Sequence, residues 1–567
     1  MDEVELFKVN GYELDEEQKQ VVLSNNKNIL VIAGAGSGKS LTIIGKIKYL
    51  INKQNINNKE ILCISFTKDS CNSLKQNLLK NDIDIEVLTF HKLGMKILKE
   101  NQVNVNLIEI DLLEHVVDLF FYETIYNYQQ YILYLLTYLK IKYNKKNYKQ
   151  KYNEVLNTKE INNIKNIIIK FIHLYKSNGY ENKYLKEIIK KYKFINKRYR
   201  YLLIIIIRIM IEYQNELNRE KLIDFDDIIL LSTKYVKNTN NLNYKYIIID
   251  EFQDTSLIRY NLIKEILIKT NANFLAVGDD YQSIYRFTGC DLYLFLNFTK
   301  YFNNSKIYKI QTTYRNSQEL INIAGNFIMK NKMQIKKNLK SRKKLNKPIK
   351  VVYYKNSKNT FNKLLDYLYE NNKRNVLILI RNNNDINDIK NSNIIIKENK
   401  IEYTKYNDMN IKYLTVHKSK GLEEETVIII SLENKDWGFP NKIKDEKILK
   451  YILPKKEKCK YSEERRLFYV ALTRTKSEVY LFVRENNPSI FVKELIHSNN
   501  KNIEIENILW YYFYKVIVMS NYTKKTTKLF ENSFVFFTST NPLKHQHLVS
   551  WCFFCEKKEE KWKRKKN

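Results

Sequence analysis

Residues 28–40 read NILVIAGAGSGKS, and no other stretch narrows the possible folds as much. A short apolar run (28–32) enters a glycine-rich turn, which opens a helix-compatible segment through residue 50 (LTIIGKIKYL). Three of the chain's 12 glycines fall here, at positions 34, 36 and 38. A strand, a glycine turn and a helix in this order let backbone N–H groups close around phosphates at a helix N-terminus. Ala33, Gly34, Ala35, Gly36, Ser37, Gly38, Lys39 and Ser40 form that cradle. Lys39 is placed to reach the β/γ-phosphates and the Ser40 hydroxyl to ligate magnesium. The strict pattern carries Gly where Ala33 stands, so this is an A-x-x-G-x-G-K-S variant.

Residues 246–255 read YIIIDEFQDT. The apolar, mostly β-branched run 246–249 has the pattern of a buried parallel strand. It ends in Asp250 and Glu251, at the carboxyl edge of the sheet where open α/β folds bind ligands. One carboxylate to hold a magnesium ion and a second to orient an attacking water are what nucleotide hydrolysis requires.

Composition sets the background. A chain of 567 residues, 44% hydrophobic with a mean hydropathy of -0.47, has room for several domains with sizeable cores. The longest apolar stretches, 201–211 and 508–519, are short and interrupted by Arg208 and Lys515, so no membrane span is expected. The first residues (MDEVELFKVN) lack the basic-then-apolar pattern of a secretory signal, and six scattered cysteines do not resemble a disulfide framework. An intracellular setting is expected, cytoplasmic or nuclear. The formal charge of +35 favours a polyanionic partner, although the abundance of Lys, Asn, Ile and Tyr also matches AT-rich codon usage. Against that bias Gly, Pro and Arg are scarce: the first proline is Pro348 and the first arginine Arg198.

The glycine-rich turn and DEFQDT together resemble the UvrD/Rep group of superfamily 1 helicases, and further segments continue the resemblance in family order. LDEEQKQVV (14–22) resembles the adenine-reading Q motif, with Gln18 its glutamine. ILCISFTKDS (61–70), LTFHKLG (88–94) and DFDD (224–227) follow, then AVGDDYQSIYRFTG (276–289), TTYRNS (312–317), LTVHKSKGLE (414–423) and EERRLFYVALTRTK (463–476). The resemblance implies two RecA-like α/β domains with parallel sheets, working as an ATP- and Mg2+-dependent 3′–5′ motor on single-stranded DNA and at its junctions with duplex. It assigns magnesium to Asp250 and Ser40, general-base work to Glu251, and γ-phosphate contacts to Lys39, Gln282, Arg315 and Arg474. Tyr314 would stack on adenine and Glu423 would meet the ribose.

For the strand, the resemblance implies base-stacking platforms at Phe66, Tyr285 and Phe287, with phosphate or relay contacts from Thr67, His91 and His417. Core packing competes as an explanation for the aromatics in a chain with 43 Tyr and 27 Phe. The chain departs from the family at several places: Leu41 replaces a common arginine, Tyr281 an aspartate, Thr288 an arginine, Thr313 an asparagine and Glu424 an aromatic. None of these removes a phosphate-contacting group.

The expected organisation is a first RecA-like domain over 1–98 and 221–315, interrupted by an all-helical insertion at 99–220. A second RecA-like domain follows over 316–495, then a C-terminal extension, 496–567. The relatives' second large insertion is expected to be missing or vestigial between 381 and 414. In the extension His545, His547, Cys552 and Cys555 have a spacing that matches no established zinc motif, and the extension is a candidate for protein partners. A monomer or weak dimer is expected. Two other functions stay open: a translocase that clears proteins from DNA without unwinding, and a nucleic-acid-binding protein with an inactive motor. RNA as the track is a lesser alternative.

Overall fold

The computed structural model describes residues 3–108, 111–180, 184–185, 187–190, 196–454 and 457–505. The His/Cys cluster of the C-terminal extension lies outside the described residues. Two large sheets organise the chain, and we number their strands. The first holds β1 (Asn28–Ala33), β2 (Ile61–Ser65), β3 (Glu86–Thr89), β4 (Tyr246–Ile249), β5 (Asn273–Gly278) and β6 (Ser305–Ile310). All six are parallel, in the order β6-β1-β5-β4-β2-β3. The β4 run YIII is buried throughout because both faces are covered. Ile247 and Ile249 enter one apolar layer with Leu30 and Ile32, while Tyr246 and Ile248 enter the opposite layer with Ile29 and Val31. The two-residue side-chain period of a strand accounts for this division.

The second sheet holds β7 (Ile349–Tyr354), β8 (Asn375–Ile380), β9 (Ile394–Lys397), β10 (Lys400–Tyr403), β11 (Asn410–Thr415), β12 (Glu424–Ile429), β13 (Thr475–Arg484) and β14 (Ile503–Ile505). Its order is β9-β10-β11-β8-β12-β13-β7-β14, parallel except where the β9–β10 hairpin runs antiparallel on to β11. Residues 381–414 therefore carry a 3-10 turn (Asn383–Asp388), the β9–β10 hairpin at one edge of the second sheet and most of β11, the strand next to it. At the other edge β14 pairs with β7, so the second lobe runs past residue 495, the end expected from sequence. The sequence signal there was weak because β14 is three residues long.

Between β3 and β4 a helical insertion builds its own core from helices Leu112–Tyr122, Gln129–Leu139, Tyr148–Leu156, Lys159–Ser177 and Lys197–Arg219. Its neck is closed by a short parallel pair, Asn106–Leu107 with Leu222–Ile223. Ile448, Leu449, Ile452 and Leu453, which follow β12 in the second lobe, are buried in this same core. Asn178 Nδ2 fixes the crossing by donating to the Ile452 carbonyl at 3.1 Å, and Tyr184 Oη donates to the Tyr451 carbonyl.

The boundary between lobes is not a single crossing at residue 315. Helix Gln318–Ile328 packs in the second lobe's core, yet Lys340 returns to bridge Thr312 beside the first. Tyr281 and Ile284, from the first lobe's sequence, are buried in the second lobe's core. Among the described residues no helix is long and apolar enough to cross a membrane.

Candidate nucleotide and strand sites

The glycine turn sits at the carboxyl end of β1 and opens helix Lys39–Asn52. Gly36 and Gly38 have φ of 69° and 76°, backbone that a side chain would strain. Space adds to the restriction, since a Cβ on Gly38 would lie 2.5 Å from Gln18 Nε2. Gln18 reaches this turn from helix Glu16–Leu23, which Asp15 caps through a reciprocal box: Gln18 N–H donates to Asp15 and Asp15 N–H to Gln18, both at 2.9 Å. The remaining amide of Gln18 donates to the Ser37 carbonyl at 3.2 Å. The Q-motif helix and the phosphate cradle are thus one hydrogen-bonded unit.

Lys39 Nζ lies 2.9 Å from Glu251 Oε1, directly across the cradle. Glu251 follows β4 with a φ of 53°, and its other oxygen accepts from Gln253 Nε2 at 2.5 Å. Lys420, from the loop after β11, stands 3.7 Å from Glu251 Oε2 and also pairs with Asp254. Burial works against ionising Glu251, but Lys39 and Lys420 hold it below the usual carboxylate range. Asp250 has the opposite environment: burial, then the Glu251 charge, push it up to about 6. Asp250 Oδ1 accepts from Glu251 N–H at 2.9 Å, while Ser40 is exposed in the first turn of the helix. A carboxylate and a hydroxyl at this edge are the hard oxygen donors that suit magnesium.

The opposite wall comes from the second lobe. Arg474 is buried, and its Nη2 donates to Gln282 Oε1 at 3.1 Å, joining a helix-end residue of the second lobe to the loop after β5. Its Nε and Nη1 donate to the carbonyls of Val470 and Leu422. Burial, then the like charge of Arg315, pull its guanidinium down to about 9, still protonated at neutral pH. Arg315 donates to Glu423 Oε2 at 2.6 Å, and Lys476 holds the other Glu423 oxygen at 3.2 Å. Glu423 is thus an ion-pair partner of Arg315 as well as a candidate for the ribose. Thr313 Oγ1 donates to the Ala35 carbonyl at 2.7 Å and Tyr314 N–H to the Gly36 carbonyl at 2.9 Å. Tyr314 keeps an exposed ring, its hydroxyl on Asp15.

The candidate strand residues fall into two groups. Phe287 (42% exposed) packs edge-on to His417 with centroids 5.4 Å apart, and Tyr285 donates its hydroxyl to the His417 carbonyl at 3.0 Å. The second group is Phe66, Thr67 and His91. Phe66 is half-buried, edge-on to Phe90 at 5.3 Å, with the Arg259 guanidinium 5.2 Å from its ring centroid. Thr67 caps helix Lys68–Leu79 by accepting from Ser70 N–H at 3.0 Å. His91 meets Phe225 edge-on at 5.3 Å, and Phe225 is 60% exposed. Burial, then Arg259 for His91 and Arg381 for His417, push both imidazoles down to about 4.

Four residues at these sites were not singled out by sequence reasoning: Lys420, Phe225, Arg259 and Trp437. Lys420 and Phe225 lie inside quoted motifs, and Arg259 stands out against the scarcity of arginine. Trp437 is the one tryptophan among the described residues and is 63% exposed on the loop after β12. Its carbonyl accepts from Asn382 Nδ2 at 2.8 Å. That places it at the same carboxyl sheet edge as the Arg381 and His417 loops, because β11, β8 and β12 are adjacent.

Residues 14–303 match the model of the UvrD/REP helicase N-terminal domain, and residues 393–486 that of the UvrD-like helicase C-terminal domain. The chain is 25% identical over 516 residues to DNA helicase IV of Escherichia coli, covering 88% of this chain and 71% of that protein. It is 31% identical over 359 residues to the ATP-dependent DNA helicase Rep of Buchnera aphidicola subsp. Acyrthosiphon pisum, covering 61% of this chain and 50% of that protein. The match thus spans only half the length of that Rep relative.

Proposed function

The chain belongs to the UvrD/Rep helicase family, and from that premise we propose that it is an ATP-driven motor that moves 3′ to 5′ along single-stranded DNA and unwinds duplex ahead of it. The observation that carries this reading is the hydrogen bond between lobes from Arg474 to Gln282, which faces the Lys39–Glu251 pair. A triphosphate bound in the cradle would meet cationic or amide groups from both lobes.

The backbone of 34–38 and Lys39 bind the β/γ-phosphates. Drawing Lys39 on to phosphate takes a cation from Glu251, which raises its proton affinity and makes it a better base for the attacking water. Asp250 and Ser40 would hold magnesium, which when bound offsets charge on the phosphate oxygens. Arg315 and Arg474 stabilise the charge that develops as the phosphoryl group departs. Tyr314, beside Asp15, offers its exposed face to adenine. Lys420 ties the strand-side loop carrying His417 to Glu251 and Asp254, so strand contact and hydrolysis share a residue.

The direct test is ATP turnover with and without single-stranded DNA, beside strand displacement from duplexes tailed at the 3′ or the 5′ end. Stimulation by DNA with displacement from the 3′ tail is expected; DNA-independent turnover would overturn the reading. One observation favours a second reading, translocation without unwinding. Where UvrD and Rep insert a whole subdomain, residues 381–414 form part of the sheet edge. Translocation along the strand with no displacement would support it.

A further inference from the structure

After helix Gln318–Ile328 the chain folds back on the first lobe, and Leu339 covers the cradle so closely that a Cβ on Gly34 would lie 2.6 Å from its Cδ2. Lys340 fixes this strap: its carbonyl accepts from Thr313 N–H and its N–H donates to the Gln311 carbonyl, both at 2.8 Å. At its centre the Lys337 side chain is 1% exposed and faces Asp279 and Asp280, both wholly buried. Its ammonium pairs with Asp279 Oδ1, lies 2.6 Å from Asp280 Oδ1 and stands 3.6 Å from the centroid of Tyr281. Tyr281 is the position where relatives carry a further aspartate, so here the ring takes one side of the ammonium.

Asp279 divides its oxygens. Oδ1 is on Lys337, and Oδ2 accepts from Gln282 Nε2 at 2.7 Å. An ionised carboxylate can only accept, so it forces the amide NH2 of Gln282 toward itself and the amide oxygen outward, where it accepts from Arg474. Lys337 bridges the two adjacent buried carboxylates and so fixes which Asp279 oxygen is left for Gln282. A carboxylate free of Lys337 could rotate, releasing the amide and withdrawing the acceptor from Arg474.

We propose that Lys337 is a positioning residue for ATP hydrolysis: by holding Asp279 Oδ1 it fixes the carboxylate whose Oδ2 accepts from Gln282, and so orients Gln282 toward Arg474. Because Lys337 rides on the strap joining the lobes, that orientation holds only while the strap is seated. This inference rests on the reading of Gln282 as a γ-phosphate contact.

The test is a double-mutant cycle on DNA-stimulated turnover of the full chain, using K337M, Q282A and the pair, with melting curves to confirm folding. We expect Q282A to lose about 100-fold and K337M about 10-fold in kcat, with the KM for ATP within about threefold, and the pair to be no slower than Q282A alone. Losses that multiply in the pair would overturn the role of Lys337 and leave the reading of Gln282 intact. Wild-type turnover in Q282A would overturn both. Should K337M not fold, D280N/K337M keeps the net buried charge of the native cluster and is compared with D280N. A roughly fivefold loss that vanishes in the Q282A background supports the proposal, and equal turnover overturns it.

Discussion

The Lys39 ammonium and Glu251 Oε1 are 2.9 Å apart, so the cation proposed to reach the phosphates and the proposed base form an ion pair. A Glu251→Gln substitution keeps the shape and removes the charge. Turnover with DNA should fall by about 100- to 10,000-fold, the usual span for a general base. Binding of a fluorescent ATP analogue should persist, since the cradle is untouched. Retained turnover would take Glu251 out of the role.

Lys420 makes a different contribution. It pairs with Asp254, which burial pushes up to about 6, and approaches Glu251 from the strand side. In Lys420→Met we expect DNA to lose most of its stimulation of turnover, by about tenfold, while DNA-free turnover changes less. An equal drop in both rates would assign Lys420 to the chemistry rather than to the coupling.

Phe225 and Trp437 test the track. Both are exposed aromatics, Phe225 packed on His91 and Trp437 on a loop hydrogen-bonded to Asn382, one on each lobe. Replacing either by Ala should weaken single-stranded DNA binding by about 1–3 kcal/mol, the scale of one stacked base. For Trp437 the readout can be optical: the part of the DNA-dependent fluorescence quenching that disappears in Trp437→Phe is its own. No change in quenching would remove it from the track.

The two strand-side histidines set a pH dependence. Both are pushed down to about 4 from an ordinary 6.5, so each is neutral in the folded protein where the unfolded chain would protonate it. The resulting stability is present above about pH 6.5 and is lost as pH falls toward 4, by up to about 1.4 kcal/mol per pH unit for each group. Melting temperature should therefore drop between pH 7 and pH 5, and His91→Asn with His417→Asn should flatten that slope. An unchanged slope would mean the fall has another source.

The sequence was most legible where physics permits few residues. The cradle at 33–40 needs left-handed glycines, and β4 needs an apolar run that ends in carboxylates, so both were readable from spacing alone. The pairing of those parts was not. Nothing in the order of residues says that Glu423 holds Arg315, or that Lys337 is buried against Asp279, because such contacts come from three-dimensional closure between segments far apart in the chain. Lysine was also the residue whose abundance hid its uses, and Lys337 and Lys420 look like any other lysine until their burial is known. The second lobe's last strand was hidden for another reason, since three residues carry too little periodicity to register.

Ile448, Leu449, Ile452 and Leu453 leave the second lobe to lodge in the core of the helical insertion, although that insertion grows out of the first lobe. The insertion is therefore bolted at both ends. When the cleft opens it cannot idle on one side; either it swings as a lever or the loop 434–447 must yield. If the loop holds, a stroke generated at the phosphates travels outward through the insertion itself.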